Sequence, residues 1–278
     1  MASRLLLKSS DRTSGTSTDF VLTFKDTLFS SYVLQWSVIP HGVYTVRTGV
    51  NDKIYLTENA VSLTATLSPG NYTATTLATE IAAQLNGTLT DATNTVTLDD
   101  STQKYTFDFS TNTHTVGFEW GTYTTASARV LLGFNEADVA AATTQVSTNM
   151  VDMSTPREIG VRIREAQKLG YKTAAKPLYS SASSYIRQSQ NPRSGTLVFP
   201  LTVPFGALNY HTALEHHAQR VDFYRQTKTL HVTLIDPDTE QELDINGLEW
   251  SMLLIGLSRP EERPPKRLKR NSMSHGEL

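Results

Sequence analysis

A chain of 278 residues with 38% hydrophobic and 19% charged positions is long enough to bury one large or two ordinary cores. It has no cysteine, which excludes disulfides and thiolate zinc sites. The net charge of −2 hides an asymmetry: residues 51–150 hold ten acids against three bases, a balance of −7, leaving +5 for the rest. That split points to two faces in different surroundings, or to surface charge that has simply drifted.

In chain order, the first apolar patch is Leu5, Leu6 and Leu7, followed by Lys8, too short for a secretory h-region. No apolar run reaches bilayer length. The expectation is an intracellular product in which the sequons at Asn71 and Asn86 stay unmodified. Phe20, Leu22 and Phe24 then alternate with Val21, Thr23 and Lys25, and Leu34, Trp36 and Val38 with Gln35 and Ser37. After a turn at Pro40-His41-Gly42 come Tyr44, Val46 and Thr48. Period two predicts three half-buried strands before residue 50.

The next block opens with a short strand at 53–56 and a turn at Ser68-Pro69-Gly70-Asn71. Thr73 is placed to cap a helix whose Leu77, Ile81 and Leu85 fall four apart beside Ala74, Ala78 and Ala82, with Asn86-Gly87 as its stop. Strands are expected at 95–98, 105–109 and 116–120, and a helical turn at 128–134. The Ala/Thr/Ser-rich stretch 139–156 reads as a linker ending at Pro156.

Alternation returns with Ile159, Val161 and Ile163. Residues 166–194 contain no acid but hold Lys168, Lys172, Lys176, Arg187 and Arg193. A loop this long is either solvated or covered by a neighbour, which makes these five bases candidate subunit-contact residues. Leu197, Phe199, Leu201, Val203 and Phe205 share one face of the next strand, with Pro200 and Pro204 on the other. Proline cannot feed a hydrogen-bond ladder, so this strand belongs at a sheet edge or carries a bulge. Three more strands are expected at 221–225, 230–235 and 248–257.

Three strands before residue 50 and five after residue 156 predict an all-β fold, a single jelly-roll sandwich with an inserted, mostly β domain containing one helix. Residues 1–50 and 157–258 form the sandwich, 51–156 the insertion and 259–278 a basic tail. The rival organisation is two consecutive domains, 1–155 and 156–258.

Motifs for chemistry are scarce. There is no Gly-x-Ser-x-Gly elbow and no phosphate-binding Gly-x-x-x-x-Gly-Lys loop. In "HTALEHH", His211, His216 and His217 are five and six apart with Glu215 misplaced for a metalloprotease helix. Asp236, Asp238, Glu240 and Asp244 resemble a calcium loop, but its sixth and twelfth positions hold Gln241 and Gly247 instead of Gly and Glu. The better reading is a closing hairpin turned by Asn246-Gly247, with Leu248, Trp250 and Met252 in the core and the acids in water. No catalytic residue, metal or cofactor is assigned, and an enzyme is not expected. In the tail, Lys266, Arg267, Lys269 and Arg270 form a basic run suited to nuclear import, to contact with nucleic acid, or to solvent alone.

"SSDRTSGTSTDFVLTF", "IPHGVYTVRTGVNDKIYL", "SPGNYTATTLATEIAAQLN", "LLGF" at 131–134 and "LHVTLIDPDTEQELDINGLEWSMLL" follow one another across most of the chain. In that order they resemble the minor capsid, or penton, proteins of virophages, polintons and polinton-like viruses. The resemblance implies a single jelly roll with an inserted upper domain, five copies of which plug each icosahedral vertex beside a double jelly-roll major capsid protein. It carries over no enzymatic site and gives the basic tail no place. The implied location is the virion, with the host nucleus during assembly if the tail is an import signal. The implied partners are four further copies and the major capsid protein, with a host surface receptor and the packaged genome left open. The N-terminal arm 1–18 joins loop 166–194 as a candidate contact segment. A fibre-like or carbohydrate/receptor-binding β-sandwich is the alternative, with Tyr72, Trp120 and Tyr123 as candidate stacking residues.

Overall fold

The computed structural model describes residues 4–28, 31–90, 93–109, 115–154, 156–166, 195–212, 219–223 and 227–256. In chain order these form β1 (Arg4–Lys8), β2 (Ser14–Gly15), β3 (Asp19–Thr23), β4 (Ser31–Pro40), β5 (Lys53–Glu58), β6 (Val61–Thr66) and α1 (Ala74–Thr88). They continue with β7 (Thr95–Asp99), β8 (Lys104–Asp108), β9 (Val116–Phe118), β10 (Val139–Ala142), β11 (Thr144–Val146) and β12 (Glu158–Ile163). The last are β13 (Gly195–Pro200), β14 (Leu208–Thr212), β15 (Arg220–Asp222), β16 (Thr229–Ile235) and β17 (Ser251–Gly256).

Two antiparallel sheets face each other over one core. One has the order β1-β17-β4-β14, and β15 continues along β4 beyond β14; the other has the order β13-β12-β16-β3-β2. Counting β14 and β15 as one interrupted strand and leaving out the two-residue β2, eight strands remain. The first, eighth, third and sixth pair in one sheet, and the fifth, fourth, seventh and second in the other. That is jelly-roll connectivity. The alternating residues fill the space between the sheets: Leu5, Leu7, Phe20, Leu22, Ile159, Val161, Val232, Leu234, Met252 and Leu254 are all buried. Trp250 meets Phe20 edge-on at 5.6 Å, and its indole N–H donates to the Ser17 carbonyl at 2.8 Å.

This core draws on residues 5–43 and 159–254, and a second core draws on residues 46–151. Here the sheets are β10-β9-β5-β6 and β11-β8-β7, with α1 packed on β6 and β7. The helix begins where Thr73 accepts from the Thr76 N–H and the Thr76 hydroxyl accepts from the Thr73 N–H. Its Leu77, Ala78, Ile81 and Leu85 form the buried stripe. It runs through Asn86-Gly87 and ends at Thr88, with the Leu89 N–H closing onto the Leu85 carbonyl. Phe118 lies at the centre of this core, 5.1 Å from Phe107, 5.1 Å from Phe134 and stacked on Trp120 at 5.2 Å.

Several expected elements differ. Tyr44, Val46 and Thr48 do not form a strand. Val43 belongs to the first core and Val46 to the second, so the segment spends its apolar residues on a crossing and pairs in strand fashion only through a bridge between Val46 and Gly70 among the described residues. The supposed linker 139–156 contains β10 and β11: the Gln145 side chain, buried, donates to the carbonyls of Val116 and Ala140 and ties this Ala/Thr-rich chain to its neighbours. Strands β1, β6 and β14 were not expected at all. β13 occupies a sheet edge, one of the two arrangements expected from its proline, but it ends at Pro200, so Leu201, Val203, Pro204 and Phe205 lie beyond it.

Candidate functional site

In a two-layer antiparallel sandwich the outward residues are ordinarily polar. The sheet β13-β12-β16-β3 follows this rule in the main, with Val21, Val198 and Pro200 as outward apolar positions. Its outward positions include Asp19, Thr23, Glu158, Arg162, His231 and Thr233, with the Thr233 hydroxyl donating to Asp19 at 2.8 Å. His231 Nδ1 lies 2.5 Å from Glu165 Oε1, and the His231 N–H donates to Glu165 Oε2 at 2.8 Å.

The sheet β1-β17-β4-β14 breaks it. Reading across the register, Arg4, Ile255, Val33 and Arg220 form one outward row, Leu6, Leu253, Trp36 and Thr212 the next, Lys8, Ser251, Val38 and Tyr210 a third, and Leu208 lies opposite the buried Pro40, so an apolar strip runs between charged and polar ends. These rows alternate with the core residues Leu7, Met252, Leu254, Leu34 and Ile39, so they face away from the core. Leu208 and Tyr210 are 64% and 62% exposed, Leu6 is exposed, and Trp36, Val38 and Leu253 are half-buried. Large exposed apolar patches on a protein surface are the usual mark of contact sites, which makes this strip the candidate site.

β14 is inverted with respect to its environment. Asn209 is buried, and its side-chain amide donates to the Pro200 carbonyl at 2.8 Å, while the His211 ring meets Phe199 edge-on at 5.4 Å. Asn209 and His211 of this strand point in, and Leu208 and Tyr210 point out together with Thr212. Of the expected histidine cluster, only His211 lies among the described residues; Glu215, His216 and His217 lie outside them.

The four acids of the turn do not converge. Asp236 is buried, accepts from the Asp238 N–H at 3.0 Å and pairs with Arg47 at 3.3 Å. Glu240 pairs with Arg162 at 3.5 Å, and Asp244 accepts from the Asn246 N–H at 2.7 Å. The carboxylates of Asp236, Glu240 and Asp244 are each engaged separately, which is turn chemistry. The expectation that all of them stay in water is corrected for Asp236. The expected closing hairpin is corrected too. Asn246 and Gly247 have φ of 56° and 73°, and the Leu248 N–H closes the turn on the Ile245 carbonyl at 3.3 Å. However, β16 and β17 belong to opposite sheets, so the turn serves a crossing rather than a strand pair. Leu248 is exposed, not in the core.

The N-terminal arm is partly a strand of the sandwich. Beyond β1, the Ser9 hydroxyl donates to Glu249 Oε2, Arg12 Nη1 donates to Glu249 Oε1 at 2.7 Å, and the Trp250 N–H donates back to Ser9 Oγ at 2.9 Å. The Ser9 and Arg12 hydrogen bonds hold the Glu249 carboxyl below the usual glutamate range. Lys168, Lys172, Lys176, Arg187 and Arg193, and the tail residues Lys266, Arg267, Lys269 and Arg270, lie outside the described residues. Among the stacking candidates, Trp120 is fully buried and unavailable, Tyr72 is half-buried, and Tyr123 is exposed.

Among the described residues, fold and surface define an all-β jelly-roll protein with an apolar strip on the outer face of one sheet. No family model matches the chain, and no curated protein is similar to it. Among solved structures, the crystal structure of the selenomethionine-labelled mavirus penton protein is similar over 92% of this chain and 98% of that one, at 13% identity and a TM-score of 0.35. A likeness at that level carries no functional weight.

Proposed function

We propose that this chain is a structural virion protein, a penton-type minor capsid subunit that assembles as a ring of five at icosahedral vertices and abuts a double jelly-roll major capsid protein. The observation that carries the reading is the apolar strip of Leu6, Leu253, Trp36, Val38, Tyr210 and Leu208 on the outer face of the sheet β1-β17-β4-β14, set on a sandwich whose other outer face is richer in charged and hydroxyl side chains. A ring requires heterologous contacts, in which two different patches of the subunit meet. A sandwich with unlike outer faces supplies two unlike patches. In this reading residues 1–50 and 157–258 form the vertex base and 51–156 the upper domain. The acidic balance of 51–150 then faces outward, and the more basic remainder, with Lys168, Lys172, Lys176, Arg187, Arg193 and the tail bases Lys266, Arg267, Lys269 and Arg270, faces neighbours and genome. Co-expression with a double jelly-roll major capsid protein from the same source, followed by imaging of the particles, tests the role. Density for this chain at the vertices is expected, and particles that close without it contradict the reading.

A further inference from the structure

We infer that the unit of residues 46–151 carries a platform for a neutral saccharide, built on the stacked tyrosines Tyr55 and Tyr123. Their rings lie 5.1 Å apart at 28°. Tyr55 stands on the outward face of β5, and Tyr123 caps it from a loop that is 43% exposed at that residue.

The loop is fixed at both ends and in the middle. The Glu119 N–H donates to the Tyr55 carbonyl at 3.1 Å, and beyond the tip the Lys53 N–H donates to the Ala126 carbonyl at 2.9 Å. Asp138 accepts from the Gly121 N–H at 2.8 Å, the Thr122 N–H at 3.0 Å and the Thr122 hydroxyl at 2.7 Å. The Tyr55 hydroxyl donates to the Thr125 carbonyl at 2.7 Å. An aromatic ring held this firmly yet left open has already lost the freedom that binding would otherwise remove. It presents a flat π-face to C–H groups, which is what one side of a pyranose offers.

The surroundings select the occupant. Glu119 reaches across β5, and its Oε1 accepts from the Ser62 hydroxyl at 2.9 Å at the surface, whereas its Oε2 is closed to solvent and so to a ligand. Thr122 and Thr124 are exposed on either side of Tyr123. Hydroxyls and a carboxylate around a ring match sugar hydroxyls. Nucleic acid and sulfated or sialylated glycans meet Glu119, Asp138 and the −7 balance of residues 51–150, and are repelled.

The test uses the full chain, clustered through a tag antibody, on an array of neutral, sialylated and sulfated oligosaccharides, with saturation-transfer NMR on the hits. Binding to a neutral saccharide is expected, with at least a tenfold loss in Tyr123→Ala, a smaller loss in Glu119→Gln and no change in Tyr72→Ala. Thermal melting confirms that each variant remains folded. The inference is overturned by no binding above background, by binding that survives Tyr123→Ala, or by binding restricted to anionic polymers. The result does not depend on ring assembly, so either reading can fail alone.

Discussion

Asp236 and Arg47 stand 189 residues apart in the chain and meet at 3.3 Å, with their side chains 6% and 14% exposed. Asp236 follows β16 of the jelly roll, and Arg47 lies on the segment that leaves it for the second core. Nearby, the Asn246 side-chain amide donates to the Gly42 carbonyl at 2.5 Å. The crossing between the two cores is therefore pinned from the jelly-roll side by two polar contacts rather than by a strand.

Removing one member of a largely buried ion pair leaves the other charge without compensation, at a cost of about 3–5 kcal/mol. Asp236→Ala is expected to destabilise the chain by that order in chemical denaturation, and Arg47→Met with Asp236→Leu to recover much of the loss. A cost for Asp236→Ala within that of an exposed pair, under about 1 kcal/mol, would show that the contact is solvent-screened.

Asn246→Ala removes the hydrogen bond to Gly42 and leaves alanine at φ 56°. Each effect costs about 1 kcal/mol or more. The substitution should lower stability by roughly 2 kcal/mol, whereas Asn246→Gly should lose less because glycine accepts the left-handed conformation. Equal losses for the two would exclude backbone strain as a contributor.

The N-terminal anchor is expected to be pH-dependent. Glu249 is depressed in the folded state by hydrogen bonds from Ser9 and then Arg12. A depressed carboxyl contributes stability that is present above its unfolded pKa and is lost as pH falls through the folded one. The protection factors of the Ser9 and Trp250 amides, taken relative to the intrinsic exchange rate at each pH, should thus fall once pH drops below the ordinary glutamate range. Glu249→Gln should weaken protection at neutral pH and flatten that dependence. Unchanged protection in the variant would mean that β1 pairing alone holds the arm.

Much of the jelly roll was legible because burial on one side of a strand leaves a period of two. Phe20 and Leu22, Ile159, Val161 and Ile163, and Leu230, Val232 and Leu234 all occupy the core positions that the alternation assigned. The helix was legible from Thr73 and the four-residue spacing of Leu77, Ile81 and Leu85. The candidate surface was not. In β14 the inward residues are Asn209 and His211 and the outward ones Leu208 and Tyr210, so hydrophobicity points the wrong way. In β1 three leucines in a row serve both faces at once and show no period. Asn246-Gly247 reported its own turn correctly, but which sheets the flanking strands join is a long-range property that a dipeptide does not carry.

Mass in solution tests the central claim, that the outer face of the sheet β1-β17-β4-β14 is an interface between subunits. Light scattering on the purified full chain should give five times the 30.8 kDa protomer mass. Tyr210→Asp with Leu253→Asp, both outward on that face, should give the single protomer mass with an unchanged melting temperature. A wild-type chain that stays monomeric at high concentration, or a double variant that still forms rings, would contradict it.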